Sequence, residues 1–308
     1  MSAPVIDKFF VCIGAQKSGT TWLARMLAEH PDLFLTPVKE IHYFDDVADI
    51  TEHLSNKKRR SRYRKYHQRL WTQWHRFGEH RRQWAWYREY MASPTDDAWY
   101  VRLFEHRGAK PFAGEVTPEY AILGRDGMEH IKRLAPDARV LFIMRNPIAR
   151  AWSQVLHQCR ARQLDANRQS TEAIVSMLAE PHFARFCDYT ATLDDMAAVF
   201  ASEQTLTMFY EDLHADRLEA LRHVCQFIGI RFDPGWFGEL GRRFNTSQEA
   251  ALPDAVRDHM RELYRPQVDG VRRRLGRIPN AWERDFGPQT KVATAQPTSA
   301  GAAKHRLR

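Results

Sequence analysis

The sequence predicts an α/β fold in which helices cover a mostly parallel β-sheet. Apolar runs of strand length alternate along the chain with segments that have apolar residues at helical spacing. One of these runs, ARVLFIM at 138–144, is continuously apolar after Arg139, which is typical of strands buried on both faces of a parallel sheet. Strands and helices in alternation also require right-handed crossovers. Without a clear linker or repeat, we expect one domain over residues 1–286.

The first 45 residues predict a strand, a helix and an extended stretch. FFVCIGA at 9–15 is an apolar run of strand length, and TTWLARMLAEH at 20–30 has helical spacing. The His30-Pro31 step ends this helix, because a residue before proline avoids the helical conformation. Residues 33–45 combine extended character with a proline break.

The middle of the chain predicts a helical segment, two strands and a helix. Residues 60–91 carry aromatic side chains at helical spacing, and they belong to an expected helical insertion at about 50–95. AGEVTPEY at 113–120 predicts a short strand that leads into a proline turn. A helix at 127–136 and the strand at 138–144 follow.

Beyond residue 144 the pattern is mainly helical. The tripeptide RNP at 145–147 caps a helix at 148–158, with proline in its first turn. TLTMFYED at 205–212 predicts another strand. The other helices, all with helical spacing of apolar residues, are predicted at about 170–180, 188–201, 216–230 and 254–275. The composition of 287–308 predicts a disordered tail.

Several classes of protein are not expected from the composition. No run approaches the ~20 apolar residues of a membrane helix, and the N-terminus lacks the basic leader of a secretory signal. The four cysteines share no CxxC or CxxH spacing, so neither a disulfide framework nor a zinc site is expected. We predict a cytoplasmic protein with reduced thiols, which are Cys12, Cys159, Cys187 and Cys225.

The positive charge is concentrated in one segment. The chain carries a net charge of +8, yet residues 57–88 alone carry +11, so the remainder is slightly negative. Aromatic residues at helical spacing favour an amphipathic helix with a solvated cationic face. An anionic acceptor or a peripheral membrane contact is the alternative, and nucleic acid is not expected. We predict that this segment helps to form the entrance for an acceptor.

The loop between the first strand and the first helix is built to bind an anion. GAQKSGTT at 14–21 lies where ligands bind in parallel α/β sheets, beyond the carboxyl end of a strand. Its backbone N–H groups and the helix N-terminus attract negative charge, and Lys17 adds a full positive charge. The loop is of P-loop type, but its Lys precedes the Gly, unlike GxxxxGK[ST]. No carboxylate follows a strand in the place that would hold Mg²⁺, since the residue directly after ARVLFIM is Arg145.

GAQKSGTTW at 14–22 resembles the loop that binds the 5′ end of 3′-phosphoadenosine 5′-phosphosulfate (PAPS) in sulfotransferases. In that family an Arg at a strand end and a Ser eight residues later bind the 3′-phosphate, and Arg145 and Ser153 have this spacing. The resemblance implies PAPS as co-substrate, 3′-phosphoadenosine 5′-phosphate (PAP) as product, and no metal. The donor-binding residues that it implies are Gln16, Lys17, Ser18, Gly19, Thr20, Thr21, Trp22, Arg145, Ser153, Tyr210 and Arg243.

KEIHYFD at 39–45 resembles the KE-x-H-[FY]-F-D segment of the heparan-type sulfotransferases and their bacterial relatives. This resemblance implies that Glu40 is the base that takes the acceptor proton. His42 is the alternative, since neutral imidazole is a common general base. Lys17 is expected to stabilise the leaving group. AGEVTPEY is similar to the GEKTPxY stretch of this branch, but Val116 stands where relatives often have Lys, so heparan specificity is not implied.

Three further positions follow from the resemblance. Trp22 matches an aromatic residue that stacks on adenine, Tyr210 lies in a YED stretch that ends a strand near the adenine, and Arg243 lies in a basic loop over the 3′-phosphate. The acceptor stays open among saccharides, lipids and small molecules, with a carbohydrate-type hydroxyl favoured. A Mg²⁺-dependent P-loop kinase or ATPase, and a non-catalytic anion- or nucleic-acid-binding protein, are the competing hypotheses.

Overall fold

The computed structural model describes residues 5–72, 77–238, 240–241 and 250–287. Within these residues five parallel strands form one sheet in the order β2-β3-β1-β4-β5. The strands are β1 (Phe9–Gly14), β2 (Leu33–Leu35), β3 (Phe112–Val116), β4 (Arg139–Met144) and β5 (Thr205–Phe209). The prediction of a parallel α/β sheet flanked by helices is therefore confirmed.

Fourteen helices of the described part of the chain cover or extend this sheet. They are α1 (Thr20–Ala28), α2 (Tyr43–Val47), α3 (Asn56–Thr72), α4 (Phe77–Tyr90), α5 (Asp97–Glu105), α6 (Gly124–Leu134), α7 (Pro147–Ala161), α8 (Thr171–Leu178), α9 (Pro181–Arg185), α10 (Tyr189–Val199), α11 (Tyr210–Ala215), α12 (Arg217–Ile228), α13 (Asp254–Leu275) and α14 (Asn280–Phe286). A 3₁₀ helix at Pro118–Ile122 follows β3 directly and becomes important below.

The two faces of the sheet support two separate apolar cores. Along β4, Val140 and Phe142 pack into one core, while Leu141 and Ile143 pack into the other. This alternation follows from the two-residue period of a strand. The two cores completely bury residues 140–144, which explains why β4 is apolar after Arg139. The four cysteines are buried free thiols, as predicted.

The predicted helical segment at 60–91 is divided between α3 and α4. Arg59 is only 3% exposed, and its guanidinium donates to the carbonyl oxygens of Tyr90 (2.9 Å) and Ala92 (2.8 Å). This arginine therefore joins the two helices instead of facing solvent. Among the side chains of α3 whose burial the structure describes, the exposed cations are Lys57, Lys58, Arg60, Arg64 and Lys65.

Several boundaries differ from the prediction. The strand predicted at 205–212 ends at Phe209, and Tyr210 begins α11. Glu211 and Asp212 lie in the first turn of that helix, where negative charge is favourable. Helices α9 and α14 were not predicted, because segments of this length give little periodicity. The predicted tail at 288–308 lies outside the described residues. Within the described chain, no helix is both long and apolar enough to span a membrane.

Candidate active site

The carboxyl ends of β1, β3, β4 and β5 lie at one edge of the sheet because all these strands are parallel. The loops and helix starts that follow them carry Lys17, Glu119, Arg145 and Tyr210. Ligands of parallel α/β sheets bind at this edge. The topology therefore brings together residues that are more than a hundred positions apart in the sequence.

The loop from Gly14 to Gly19 has a backbone conformation suited to an anion. Lys17 (φ 68°) and Gly19 (φ 81°) are both left-handed, and Gly19 begins α1 as its N-cap without a side chain. A Cβ at Gly19 would lie 3.1 Å from the ring of Tyr210. The hydroxyl of Ser18 is buried, and no described residue forms a hydrogen bond with it. A buried donor of this kind is costly unless a ligand satisfies it.

Arg145 lies directly against this loop. Its Nη1 donates a hydrogen bond to the carbonyl oxygen of Lys17 at 2.9 Å, and its guanidinium lies 4.6 Å from the centre of the Tyr210 ring. Asn146 caps α7 by accepting hydrogen bonds from the backbone N–H groups of Ile148 and Ala149. The β4–α7 junction therefore holds Arg145 beside the anion-binding loop.

Lys17 lies among several charges. Burial lowers the pKa of its ammonium, the positive charges of Arg145 and Arg150 lower it further, and the negative charge of Glu40 opposes them. Three cations close together at a partly buried site need a compensating anion. This charge distribution favours a polyanionic ligand at the loop.

One face of α7 interacts electrostatically with the same loop. Arg150 acts on the charge of Lys17, and the charge of Lys17, after burial, lowers the pKa of His157. Ser153 lies three residues after Arg150 and four before His157, so all three share one helix face. Ser153 is half-buried on this face. The predicted partner of Arg145 is thus on the side of α7 that interacts electrostatically with Lys17.

The predicted base lies on the loop before α2. Glu40 (φ 64°) pairs with the ammonium of Lys39 through Oε1, while its Oε2 lies 3.9 Å from Nε2 of His42. Nδ1 of His42 donates to Oδ2 of Asp45 at 2.8 Å, because an ionised carboxylate only accepts. This contact leaves the lone pair of His42 Nε2 directed toward Glu40.

A third carboxylate, Glu119, was not predicted as a site residue. Its Oε1 accepts a hydrogen bond from Nε2 of Gln16 at 3.1 Å, and its Oε2 lies 4.0 Å from Nδ1 of His42. Burial raises the pKa of Glu119; His42 opposes this effect and the negative charge of Glu40 adds to it. Glu119 therefore links the anion-binding loop to the segment that carries Glu40.

In the sequence only the TPEY stretch at 117–120 could have indicated Glu119, and it does not show which residues the Glu119 side chain contacts. The 3₁₀ helix at Pro118–Ile122 packs on the end of β1. A Cβ at Gly14 would lie 2.9 Å from both Ala121 Cβ and the Pro118 carbonyl oxygen. This close approach, which needs a glycine at position 14, places Glu119 beside Gln16.

Buried polar residues hold the Glu40 loop from behind. Glu115 accepts hydrogen bonds from the backbone N–H of Ile41 (3.4 Å) and from the hydroxyl of Tyr100 (2.5 Å). The hydroxyl of Tyr120 accepts one from the backbone N–H of Tyr43 at 3.0 Å. These residues are fully buried, so they fix the loop conformation and do not face the cleft.

The remaining predicted residues take different positions. Trp22 is 4% exposed, and its Nε1 donates to the carbonyl oxygen of Leu240 at 3.3 Å. Tyr210 is half-buried between Arg145 and Gly19. Thr20 is buried and Thr21 is half-buried in the first turn of α1. Arg243 lies outside the described residues.

Comparison with known proteins identifies relatives of this chain. A family model described as "Sulfotransferase family" matches residues 10–234, which is well over half of the chain. The curated proteins include no sequence that matches it.

Solved structures show the same fold. A sulfotransferase from Alicyclobacillus acidocaldarius has a TM-score of 0.62 and 21% identity, with 92% of this chain and 100% of that chain covered. The sulfotransferase domain of the olefin synthase from Synechococcus PCC 7002 has a TM-score of 0.54 and 19% identity, with 90% and 98% covered.

Proposed function

Because the chain belongs to the sulfotransferase family, we propose that it moves the sulfuryl group of PAPS to an acceptor hydroxyl by in-line displacement. The observation that carries this proposal is the hydrogen bond between Arg145 Nη1 and the Lys17 carbonyl oxygen. It brings the two sequence patches that would bind opposite ends of PAPS into direct contact. The transfer itself requires no metal ion.

Binding of PAPS uses the loop after β1 and the start of α7. The backbone N–H groups at the start of α1, the side chains of Lys17 and Ser18, and the hydroxyls of Thr20 and Thr21 bind the 5′-phosphosulfate. Arg145 provides a planar fork for the 3′-phosphate, and Ser153 adds a hydroxyl from the next helix. The cations around Lys17 lose their mutual repulsion once this polyanion is bound.

The reaction then needs one proton acceptor. The acceptor oxygen attacks sulfur, the bond between sulfur and the bridging oxygen of the 5′-phosphate breaks, and the acceptor proton goes to the carboxylate of Glu40. His42 Nε2, 3.9 Å from Glu40 Oε2, is the alternative base. PAP leaves with the electron pair of the broken bond.

Lys17 stabilises that leaving group. Its ammonium interacts electrostatically with both Arg145 and Glu40, which supports a role at the donor group that faces the base. A preorganised cation at a developing negative charge is among the largest single contributions to catalysis.

The acceptor that we favour is a carbohydrate-type hydroxyl, because KEIHYFD resembles the Glu-base branch of the family. The exposed cations of α3 are placed soon after this segment in the chain, and we propose that they attract an anionic acceptor. A saccharide carrying carboxylate or sulfate groups has the chemistry that fits both features.

Incubation of the protein with sulfur-labelled PAPS and a panel of saccharide, lipid and small-molecule acceptors tests the proposal. We expect label on at least one acceptor class, and a loss of about 10²–10³-fold in rate for Lys17→Met. Lys8→Met, at an exposed lysine that precedes β1 at the end of the strand opposite to the loop, is the matched control. Label transfer that is equal in both variants would contradict the role of Lys17.

A further inference from the structure

Three side chains that can act as metal ligands lie close together beside the anion-binding loop. Glu40, His42 and Glu119 each offer one ligand atom, and these atoms all lie within 4.8 Å of one another. His42 and Glu119 are buried, whereas the side chain of Glu40 is one-third exposed. Among the residues that the structure describes, they form the one group of three or more His, Cys, Asp or Glu side chains that could hold a metal ion together.

The imidazole of His42 is oriented as a ligand. Nδ1 donates to Asp45 Oδ2 at 2.8 Å, and the same carboxylate oxygen accepts a second hydrogen bond from the Thr51 hydroxyl at 2.6 Å. A histidine whose second nitrogen is bonded to a carboxylate is the usual arrangement at metal sites, because it fixes the tautomer and raises the basicity of the ligating nitrogen. Nε2 therefore has a free lone pair on the side of Glu40.

Glu119 supplies an independent indication of a ligand. The residue is only 8% exposed, and within the described chain its Oε2 has no hydrogen-bond partner. This atom lies 4.0 Å from Nδ1 of His42, the nitrogen that is bonded to Asp45, while Oε1 is bonded to Gln16. A buried carboxylate oxygen without a partner is costly, and a cation held jointly with Glu40 and His42 would satisfy it.

We propose that Glu40, His42 and Glu119 bind a divalent transition-metal ion of the Zn²⁺ class, and that the bound ion blocks sulfuryl transfer by occupying the carboxylate of Glu40. One imidazole nitrogen and two carboxylate oxygens form a known Zn²⁺ ligand set, whereas Mg²⁺ and Ca²⁺ prefer oxygen ligands alone. The inhibition, but not the binding, rests on the proposed function.

For Glu40 the ligand geometry needs only a small side-chain movement. Ligand atoms in a tetrahedral zinc site lie about 3.4 Å apart, and Glu40 Oε2 is 3.9 Å from His42 Nε2. Because Glu40 is partly exposed, rotation of its side chain closes this gap. Lys39 pairs with the other oxygen, Oε1, so it does not occupy the atom that faces His42.

Calorimetric titration of Zn²⁺ into the chelator-treated full-length protein tests the site without any donor or acceptor. We expect one ion per chain, with a Kd in the micromolar range, and no binding of Mg²⁺ at the same concentrations. Glu119→Gln, which preserves the shape and an oxygen for Gln16, should weaken Zn²⁺ binding at least tenfold, and His42→Gln should do the same. His223→Gln, at an exposed position of α12, is the control and should leave binding unchanged.

The proposal is overturned if the wild-type protein does not bind Zn²⁺ in this range, or if Glu119→Gln and the control bind it equally. Thermal melting without metal and a titration with PAP show that each variant is folded. The inhibition is tested separately, by adding Zn²⁺ and then chelator to the labelled-PAPS assay, where reversible loss of transfer is expected. If PAP fails to bind while Zn²⁺ binding follows the variants, the proposed function fails and the metal site stands.

Discussion

At the scale of single residues, the site depends on charges that are kept close together without full solvation. The ammonium of Lys17 has a lowered pKa because of burial and the neighbouring Arg145 and Arg150. The carboxyl of Glu119 has a raised pKa because of burial and Glu40, with His42 opposing. Such groups gain most when a ligand or a transferred proton compensates their charge.

Replacement of the proposed base should affect chemistry and spare donor binding. Glu40→Gln removes the proton acceptor while keeping the size of the side chain, so we expect the transfer rate to fall by about 10²–10⁴-fold. The Kd for PAP should stay within a factor of two or so of the wild-type value, since Glu40 makes no contact with the donor in this scheme.

Rate measurements with labelled PAPS, together with calorimetry on PAP, check both parts. Glu29→Gln, an exposed carboxylate at the end of α1, is the control. Should His42→Gln abolish transfer while Glu40→Gln retains it, His42 would be the base instead.

A methyl group at Gly19 should weaken donor binding. The added Cβ would lie 3.1 Å from Tyr210 and 3.2 Å from His214, and the φ of 81° is itself unfavourable for alanine. Gly108→Ala is a matched control, because φ there is 61° and nothing lies within 4 Å of the added atom.

Both variants should lose about 1 kcal/mol of unfolding free energy from backbone strain, and Gly19→Ala should lose more. Only Gly19→Ala should also bind PAP more weakly, by an order of magnitude or so, as the loop shifts. Denaturant unfolding and PAP titration measure the two effects. Equal PAP affinities in the two variants would show that the loop tolerates the shift.

At the scale of elements, buried polar residues form hydrogen bonds that hold neighbouring segments together, and the sequence does not reveal this role. His30, just after α1, is fully buried and accepts a hydrogen bond from the Asp32 N–H (3.0 Å) at Nδ1. Its Nε2–H donates to the carbonyl oxygen of Arg231 at 2.7 Å. Because Nδ1 accepts a hydrogen bond, the imidazole must be neutral, with its proton on Nε2.

The stability of the fold should therefore fall in mild acid in a way that depends on His30. Burial lowers the pKa of this imidazole below its ordinary value, so below about pH 6.5 the unfolded chain binds a proton that the folded chain does not. Stability contributed by neutral His30 is present above that pH and decreases as the pH falls.

Melting temperatures between about pH 7 and pH 5 measure this effect, with His30→Gln compared with the wild type. The variant should have a lower melting temperature at neutral pH and a shallower decrease on acidification. Parallel curves for the two proteins would assign the acid sensitivity to other groups.

Within the basic segment, the arginines of α3 should divide into two classes. Arg59→Met removes the buried guanidinium that binds the carbonyls of Tyr90 and Ala92, so we expect a loss of about 3 kcal/mol or more in unfolding free energy. Arg60→Glu and Arg64→Glu, both at exposed positions, should change it by less than about 0.5 kcal/mol.

The same exposed pair tests the acceptor entrance. With an anionic acceptor, the double charge reversal should raise KM for the acceptor and leave kcat unchanged. An unchanged KM would show that this face of α3 is only a solvated surface. Arg59 is unsuitable for that test because its loss affects folding.

At the scale of the whole molecule, the sequence predicted the sheet mainly because two of its interior strands, β1 and β4, are largely apolar runs of strand length. It also predicted the Lys17 loop, since its Gly, Lys and hydroxyl residues are contiguous. The contact of Arg145 with that loop depends on β1 and β4 being neighbours, and only the spacing to Ser153 hinted at it. Local sequence was sufficient where a feature lies within one strand–loop–helix unit.

Other features could not be predicted because they depend on tertiary contacts. Glu119 reaches His42 only because the 3₁₀ helix after β3 packs on Gly14. Tyr210 was expected to end a strand, yet the two acidic residues after it favour a helix start. Helix α14 is short, and its buried Trp282 packs against Tyr189 and Phe209, which are distant in the sequence.

The central proposal is that Lys17 and Arg145 together bind one doubly phosphorylated donor. Calorimetric titration of the wild-type protein and of Arg145→Met with PAP, AMP and Mg²⁺-ATP measures this most directly. We predict that the wild type binds PAP at least about tenfold more tightly than AMP, since the 3′-phosphate adds a charge-assisted contact with Arg145. The preference should disappear in Arg145→Met. Equal affinity of the wild type for PAP and AMP, or tighter binding of Mg²⁺-ATP, would contradict the proposal.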